Sequence, residues 1–186
     1  MNKCELPKSQ SHLFIAQITS LSACTANTFL VSEQASEIPP FLAPLAANLV
    51  ALRAKGNWSI SALAEQARVN RRMIRLVEQG QVNASLKTID KLARALGVTA
   101  GSLVGNRPLA RQEGDALIEE VVARNLVSAR KGLKLTQEKL SQQSGVNMPA
   151  IADIERQARN PSLLTLAKLA ASLGLSLEAL LTDYRS

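Results

Sequence analysis

The sequence predicts an all-α protein built from two tandem domains of five helices each. Two observations lead to this prediction. Residues 48–104 return as residues 125–181 at a constant offset of 77 without a gap, so the chain contains one small domain twice. Within each copy, Leu, Ile, Val and Ala recur at helical spacing, and Ser, Thr or Asn stands before most of these runs, where a helix cap belongs.

The domain limits follow from the repeat. We predict a flexible N-terminal arm over residues 1–43, a first domain over 44–104, a linker over 105–116 and a second domain over 117–186. The first helix is expected from about 45 to 55 in the first copy and over 117–131 in the second. The later helices are expected to begin after caps at Ser59, Asn70, Ser85 and Thr99, and at Thr136, Asn147, Ser162 and Ser176.

Positive charge is concentrated in the repeats. The formal net charge is +7, and residues 45–104 carry nine Lys and Arg against three Asp and Glu. Residues 122–181 carry eight against four, whereas the segments between and before them are slightly acidic. Two basic modules are typical of proteins that bind a polyanion, although charge alone also fits a solvated surface.

Both cysteines, Cys4 and Cys24, and the single histidine, His12, lie in the N-terminal arm. Neither a disulfide framework nor a metal site is expected from this spacing, which favours the reducing cytoplasm. Residues 21–24 have the form of a lipoprotein cleavage site, but polar residues interrupt the apolar run that a signal peptide needs. No stretch of about 20 apolar residues predicts a membrane span.

A short helix, a tight turn and a second helix with a polar outer face form a helix-turn-helix, which places its second helix in the major groove. The second copy contains Leu135-Thr136-Gln137-Glu138-Lys139-Leu140, Ser144-Gly145-Val146-Asn147 and Ile151-Ala152-Asp153-Ile154-Glu155. This closely resembles the Cro/cI-type (XRE) helix-turn-helix family of phage repressors and bacterial regulators, over nearly all of both copies. The resemblance implies lambda-repressor-like domains in which helix three reads bases, while helix two and the start of helix four bind phosphates.

The first copy departs from this pattern at two positions. Ile60 stands where the second copy has Gln137, and Arg68 replaces the turn glycine, which is unfavourable if that residue is left-handed. Its third helix is nevertheless rich in groups that bind guanine and phosphate. The predicted DNA contacts of this copy are Asn70, Arg71, Arg72 and Arg75 at helix three, with Asn83, Ser85 and Lys87 holding the backbone.

The second copy keeps Gly145 and also Gln137, which by the resemblance is the polar DNA contact at the start of helix two. Its third helix presents Met148 and Pro149 after Asn147, and Gln137, Asn147 and Met148 are predicted DNA contacts. Met148 can touch a thymine methyl but makes no bidentate contact. Asp153 could accept a hydrogen bond from cytosine, and the residues expected to hold the backbone are Arg156, Arg159 and Asn160. Base reading and a dimerisation or partner-binding role both stay open for this copy.

Arg53 and Glu78 recur as Arg130 and Glu155. By the resemblance, each pair joins helix one to the end of helix three. On the same resemblance we expect a structural ion pair at both places rather than phosphate binding. If such a pair is substantially buried, removing one partner should cost about 3–5 kcal/mol.

The sequence therefore predicts a cytoplasmic, nucleoid-associated regulator of a prokaryote or phage that binds specific duplex DNA, as a repressor. A linker of about 12 residues reaches ~40 Å, and half-sites one turn apart are separated by ~34 Å, so one chain could act as a covalent pseudo-dimer on two unlike half-sites. If the second copy only forms a homodimer, the operator would be palindromic.

The alternative function is an antitoxin or adaptor whose second copy binds a protein. No enzyme and no cofactor are expected, because the repeats contain no His, Cys or glycine-rich phosphate loop.

Overall fold

The computed structural model describes Pro39, residues 41–105 and residues 116–183. Over these residues the chain forms ten α-helices and no strand, as the sequence predicts. The predicted arm up to residue 38, with Cys4, His12 and Cys24, and most of the predicted linker lie outside the described residues. The helices are α1 Leu42–Lys55, α2 Ile60–Ala67, α3 Arg71–Glu78, α4 Leu86–Ala95, α5 Ala100–Val104, α6 Ile118–Gly132, α7 Gln137–Ser144, α8 Met148–Glu155, α9 Leu163–Ser172 and α10 Leu177–Leu181.

Local side-chain chemistry sets most helix starts. Every predicted cap accepts a hydrogen bond from a backbone N–H in the first turn of its helix, which satisfies a donor that has no partner within the helix. For example, Asn70 Oδ1 accepts from Arg72 N at 2.8 Å, and Ser59 Oγ accepts from Ala62 N at 3.0 Å. The remaining caps are Ser85, Thr99, Thr136, Asn147, Ser162 and Ser176.

The predicted start of the first helix is too late. α1 begins at Leu42 rather than near residue 45, so the predicted limit of the arm at residue 43 falls inside this helix. Leu42 is 5% exposed and continues the apolar face of Leu45 and Leu49 one turn earlier. Pro44 obscures this start in the sequence but is tolerated in a first turn, where its missing N–H would have had no partner. α6 is displaced from its predicted limits by one residue at each end.

We call α1–α5 domain 1 and α6–α10 domain 2. The buried aliphatic side chains of the two domains form one continuous cluster rather than two separate cores. Trp58 is half-buried and packs against the edge of this cluster. Contacts between α5 and α10, and between α4 and α6, join the domains, and the described residues from Pro39 onward belong to one compact unit.

A short antiparallel bridge between Ser85 and Ser162 lies at this contact. Leu86 N donates to Pro161 O at 2.9 Å, and Leu163 N donates to Ala84 O at 3.0 Å. The two bonds join equivalent residues, because Leu163 and Pro161 are the counterparts of Leu86 and Ala84 at the offset of 77. Exchanging the domains therefore converts one bond into the other, and the domains are related by a pseudo-two-fold axis. The chain thus forms within itself the kind of contact that two identical subunits make in a symmetric dimer.

One repeated asparagine supports this contact from inside each domain. Asn48 Nδ2 donates to the carbonyl oxygens of Leu103 at 3.2 Å and Gly105 at 2.8 Å, at the end of α5. Asn125 Nδ2 makes the equivalent bonds to Leu180 and Thr182, at 3.1 Å and 2.9 Å. Each asparagine fixes the last helix of its domain to the first, and these last helices are the ones that meet across the domain contact.

Candidate nucleic-acid interface

The third helix of domain 1 has a fixed inner face and a cationic outer face. Ile74 and Val77 are 0% and 1% exposed and hold α3 against the core. Arg71, Arg72 and Arg75, on the opposite side, are all exposed. Arg71 Nη1 donates to Ser61 Oγ of α2 at 3.3 Å, which orients its guanidinium. Within the described part of the chain, neither Arg72 nor Arg75 forms an ion pair, so both can approach an anionic ligand.

The turn before α3 is strained in domain 1. Arg68 has φ 51° and ψ 48°, which is the left-handed conformation that the sequence suggested would be unfavourable for it. A side chain in this conformation costs about 1–2 kcal/mol. In domain 2 the same position is Gly145, with φ 67°. The strained residue adds one more exposed cation next to the recognition helix, which the glycine cannot do.

The third helix of domain 2 presents a different surface. Met148 is 47% exposed at its first position, and Pro149 follows it. Asp153 Oδ1 accepts a hydrogen bond from Arg156 Nη2 at 2.7 Å, so the charges of these two predicted contacts offset each other. Asn147 Oδ1 caps the helix by accepting from Ala150 N. α8 therefore offers an apolar tip where α3 offers three guanidinium groups.

Basic and polar side chains surround the beginnings of α8 and α9. An open cleft at this place is lined by Asn147, Arg159, Asn160 and Lys168. Arg159 and Lys168 are exposed. Lys168 was missed by the sequence reasoning because it lies on α9, beyond the motif, and only the fold brings it to the same cleft.

The two predicted ion pairs are present, and each arginine also donates to a backbone carbonyl oxygen. Arg53 Nε donates to Glu78 Oε1 at 2.6 Å, and its Nη1 donates to the carbonyl oxygen of Trp58 at 3.0 Å. Arg130 bonds both oxygens of Glu155, at 2.7 and 2.8 Å, and also the carbonyl of Leu135. Each arginine thus ties helix one to helix three and to the loop before helix two, and its guanidinium is hydrogen-bonded within its own domain.

Gln137 takes part in the second pair. Its Nε2 donates to Glu155 Oε2 at 2.8 Å, so this predicted DNA contact has a partner inside its own domain. Ile60 occupies the equivalent place in domain 1 and makes no such bond. Burial raises the pKa of Glu155, but hydrogen bonds from Arg130 and Gln137 and the nearby positive charge outweigh it and leave that pKa below its usual value. The hydrogen bond with Glu155 likewise raises the pKa of Arg130.

The start of helix four, predicted to bind phosphate, is occupied by the other domain. Asn160 Oδ1 accepts from Lys87 N at 3.1 Å, and Asn83 Oδ1 accepts from Leu164 N at 3.0 Å. Ser85 Oγ accepts from Thr88 N, and Lys87 Nζ lies 3.6 Å from Glu119 Oε1. The geometry thus brings Asn83, Ser85, Lys87 and Asn160 together at the domain contact, and their contact with DNA stays a prediction.

Two other kinds of site have no support in the described residues. They contain no group of three or more His, Cys, Asp or Glu side chains placed to hold a metal ion. None of the helices described is long and apolar enough to cross a membrane.

Comparison with known proteins matches both repeats to one family model. The model describes a helix-turn-helix and covers residues 49–103 and 126–180, which is more than half of the chain. A control protein of Serratia marcescens, C.SmaI, is 42% identical over 65 residues, covering 35% of this chain and 77% of that protein. An uncharacterised HTH-type transcriptional regulator of Haemophilus influenzae is 45% identical over 62 residues, covering 33% of this chain and 58% of the relative.

A phage protein and a solved structure are also similar. The immunity repressor of Bacillus phage phi105 is 38% identical over 62 residues, covering 33% of this chain and 43% of the repressor. This chain therefore spans less than half the length of that curated relative. A hypothetical transcription factor from Neisseria, NHTF, whose crystal structure is known, is 29% identical, with a TM-score of 0.37, covering 40% of this chain and 84% of that one.

Proposed function

This chain belongs to the XRE-type helix-turn-helix family of DNA-binding transcriptional regulators, and we propose that it represses transcription by reading the major groove with α3 of domain 1. The observation that carries the proposal is the outer face of α3. Three exposed arginines lie on a helix whose opposite face is buried, so their backbone positions are fixed before DNA arrives. Arginine makes the bidentate contact to guanine most often used in the major groove, and it also binds phosphate.

Domain 2 contributes a second, weaker reading surface. Met148 is exposed where it can contact a thymine methyl, and Arg159 and Lys168 line the cleft beside α8 where a phosphate can lie. The domain contact supports a covalent pseudo-dimer, because it holds α3 and α8 in one unit instead of leaving them on a flexible tether. The two half-sites of the operator should then differ in sequence.

The pseudo-dimer is favoured over the antitoxin or adaptor function and over a palindromic homodimer. The surface of domain 2 around α10 and the start of α9 is packed on domain 1, so it is not available for a homodimer or for another protein. Regulators of this family are typically not enzymes. We place the protein in the cytoplasm, on the nucleoid, because that is where duplex DNA of a prokaryote is found.

A mobility-shift titration over a salt series tests the proposal. Each phosphate neutralised contributes a slope of about −0.9 to the plot of log affinity against log salt, so a steep negative slope is expected for an interface built from arginines. Lys91→Ala removes one exposed charge from α4, outside the recognition helices, and serves as a control that should leave specific binding unchanged. The absence of a shift at low salt would refute DNA binding by this chain.

A further inference from the structure

Two glycines allow α5 and α10 to approach closely across the domain contact. A Cβ on Gly101 would overlap the hydroxyl of Thr182 and lie 3.4 Å from the backbone oxygen of Glu178. A Cβ on Gly105 would overlap the side chain of Glu178. Gly101 lies inside a helix and Gly105 has φ −108°, so neither backbone conformation requires glycine. The space between the two helices requires it.

At this contact, small residues on α5 lie opposite larger residues on α10. At the offset of 77, Gly101 corresponds to Glu178 and Gly105 corresponds to Thr182. Gly101 faces Thr182 and Gly105 faces Glu178, so each glycine lies opposite the counterpart of the other. We propose that the surface is heterotypic: domain 1 pairs with domain 2, and neither domain pairs through it with a copy of itself.

The two alternative pairings fit poorly. If two copies of domain 2 paired, the Glu178 side chain of each copy would lie against the Thr182 side chain of the other. In the observed pair, each of these two places holds only one side chain, because the residue opposite is glycine. The Thr182 hydroxyl has little freedom to yield, since it is 6% exposed and donates to the carbonyl oxygen of Glu178 at 2.8 Å. A pair of two domains 1 would place glycine against glycine and lose the contacts that the side chains make. Both overfilled and underfilled interfaces are less stable than a matched one.

An ion pair at the same contact also favours the pairing of domain 1 with domain 2. Lys87 Nζ of α4 lies 3.6 Å from Glu119 Oε1 of α6. The counterparts of these residues are Leu164 and Leu42, so neither self-pair can form this bond. Because Lys87 is largely exposed, the contribution of this pair to stability is small, and the glycines provide the main discrimination.

The functional consequence rests on the proposed DNA binding. When domain 1 pairs with domain 2 of the same chain, the chain always presents one α3 and one α8 to DNA. One chain should therefore occupy one operator, and the operator should be asymmetric. Assemblies that pair two α3 or two α8 surfaces through this contact, and would read palindromes, are disfavoured by the shape of the α5–α10 contact.

Four full-length chains test the pairing rule: the wild type, the double variant Gly101→Glu/Gly105→Thr, the quadruple variant that adds Glu178→Gly/Thr182→Gly, and Gly132→Glu. In the double variant, α5 carries at these two positions the same side chains as α10, namely those of Glu178 and Thr182. The quadruple variant restores a matched pair in the opposite sense. Gly132 ends α6 with open space around its Cβ position, so its variant controls for placing glutamate at a helical glycine.

We expect the wild type to have the mass of one chain, 20.0 kDa, by sedimentation equilibrium. The double variant should melt about 5 °C lower and have a larger radius of gyration by solution X-ray scattering, even though replacing glycine improves helix propensity. The quadruple variant should recover most of both losses, and Gly132→Glu should match the wild type. A double variant that is as stable and compact as the wild type would overturn the proposal, as would a quadruple variant that recovers nothing or a wild type that dimerises through this surface.

A DNA measurement separates this inference from the proposed function. The double variant should bind a fragment with both half-sites about tenfold more weakly than the wild type, while its binding to the half-site of domain 1 is unchanged, because only the fixed coupling of the domains is lost. A wild type that binds neither fragment, with the stability and scattering results as expected, would refute the DNA-binding proposal and leave the pairing rule standing.

Discussion

Domain 1 and domain 2 share a scaffold and differ in what each adds to it. Both use the same caps, the same aliphatic core and the same asparagine, which lies on the first helix and binds carbonyl oxygens at the end of the last. Domain 1 adds an arginine-rich recognition helix next to a left-handed Arg68. Domain 2 has Gly145 at that position, but it has a left-handed Gln157 where domain 1 has Gly80, and Gln137 adds a third hydrogen bond to its buried carboxylate. The comparison suggests that domain 1 is adapted for contact with DNA, and that each domain places a left-handed side chain at a different turn.

The largest expected effect is on DNA binding by domain 1. The triple variant Arg71→Ala/Arg72→Ala/Arg75→Ala should lose at least 100-fold in specific affinity, since each bidentate arginine contributes about 1–3 kcal/mol. Fluorescence anisotropy with an operator fragment gives the affinity, and circular dichroism checks that the helices are intact. If the folded triple variant binds as well as the wild type, α3 is not the reading helix.

The next effect compares the two ion pairs. Glu155→Ala should lower the free energy of unfolding by about 3 kcal/mol, because it leaves Arg130 and Gln137 without their shared acceptor. Glu78→Ala should cost less, because Arg53 is more exposed than Arg130, at 21% against 12%, and no glutamine joins that pair. Urea unfolding of both variants gives the order, and an equal cost would show that Gln137 adds nothing.

Acid should reveal the same difference. The pKa of Glu155 is lowered in the folded protein, so its contribution to stability is complete above its ordinary pKa and is lost as the pH falls through the lowered value. Glu155→Gln should therefore reduce stability at neutral pH and flatten its decline below about pH 4.5. Unfolding midpoints measured from pH 7 to pH 3 check this, and an unchanged acid limb in the variant would contradict it.

A smaller effect concerns the turn before the recognition helix. Arg68→Gly should stabilise the protein by about 1 kcal/mol by removing left-handed strain, and Gly145→Ala should destabilise it by a similar amount. No atom lies within 4 Å of the Cβ position at Gly145, so the backbone alone is tested there. Thermal unfolding measures both, and a loss of stability in Arg68→Gly would show that its side chain makes an offsetting contribution.

The smallest effect is expected in domain 2. Met148→Ala should change affinity by less than about 1 kcal/mol and relax the preference for thymine at one position of the weaker half-site. Competition between operators that differ at that position gives the preference. A change at the half-site of domain 1 instead would mean that the two surfaces are assigned to the wrong domains.

The sequence predicts what depends on neighbours in the chain. Caps such as Ser59 and Asn70 act within three residues, so the motif locates them. Asn48 acts on carbonyl groups about 55 residues away, and its repetition marks it as shared without showing why. Gly101 and Gly105 carry no local signal, because only packing against α10 gives them a role. Asn83 and Asn160 were expected at DNA, but sequence alone does not show that each caps a helix of the other domain.

One chain, on this account, carries two unlike reading surfaces in a fixed pair. Selection of bound sequences from a random duplex pool with the full-length chain tests this most directly. We expect an asymmetric operator of two unlike half-sites about one helical turn apart, with guanine prominent in one of them, and one chain on each DNA molecule. A palindromic operator that binds two chains would contradict it.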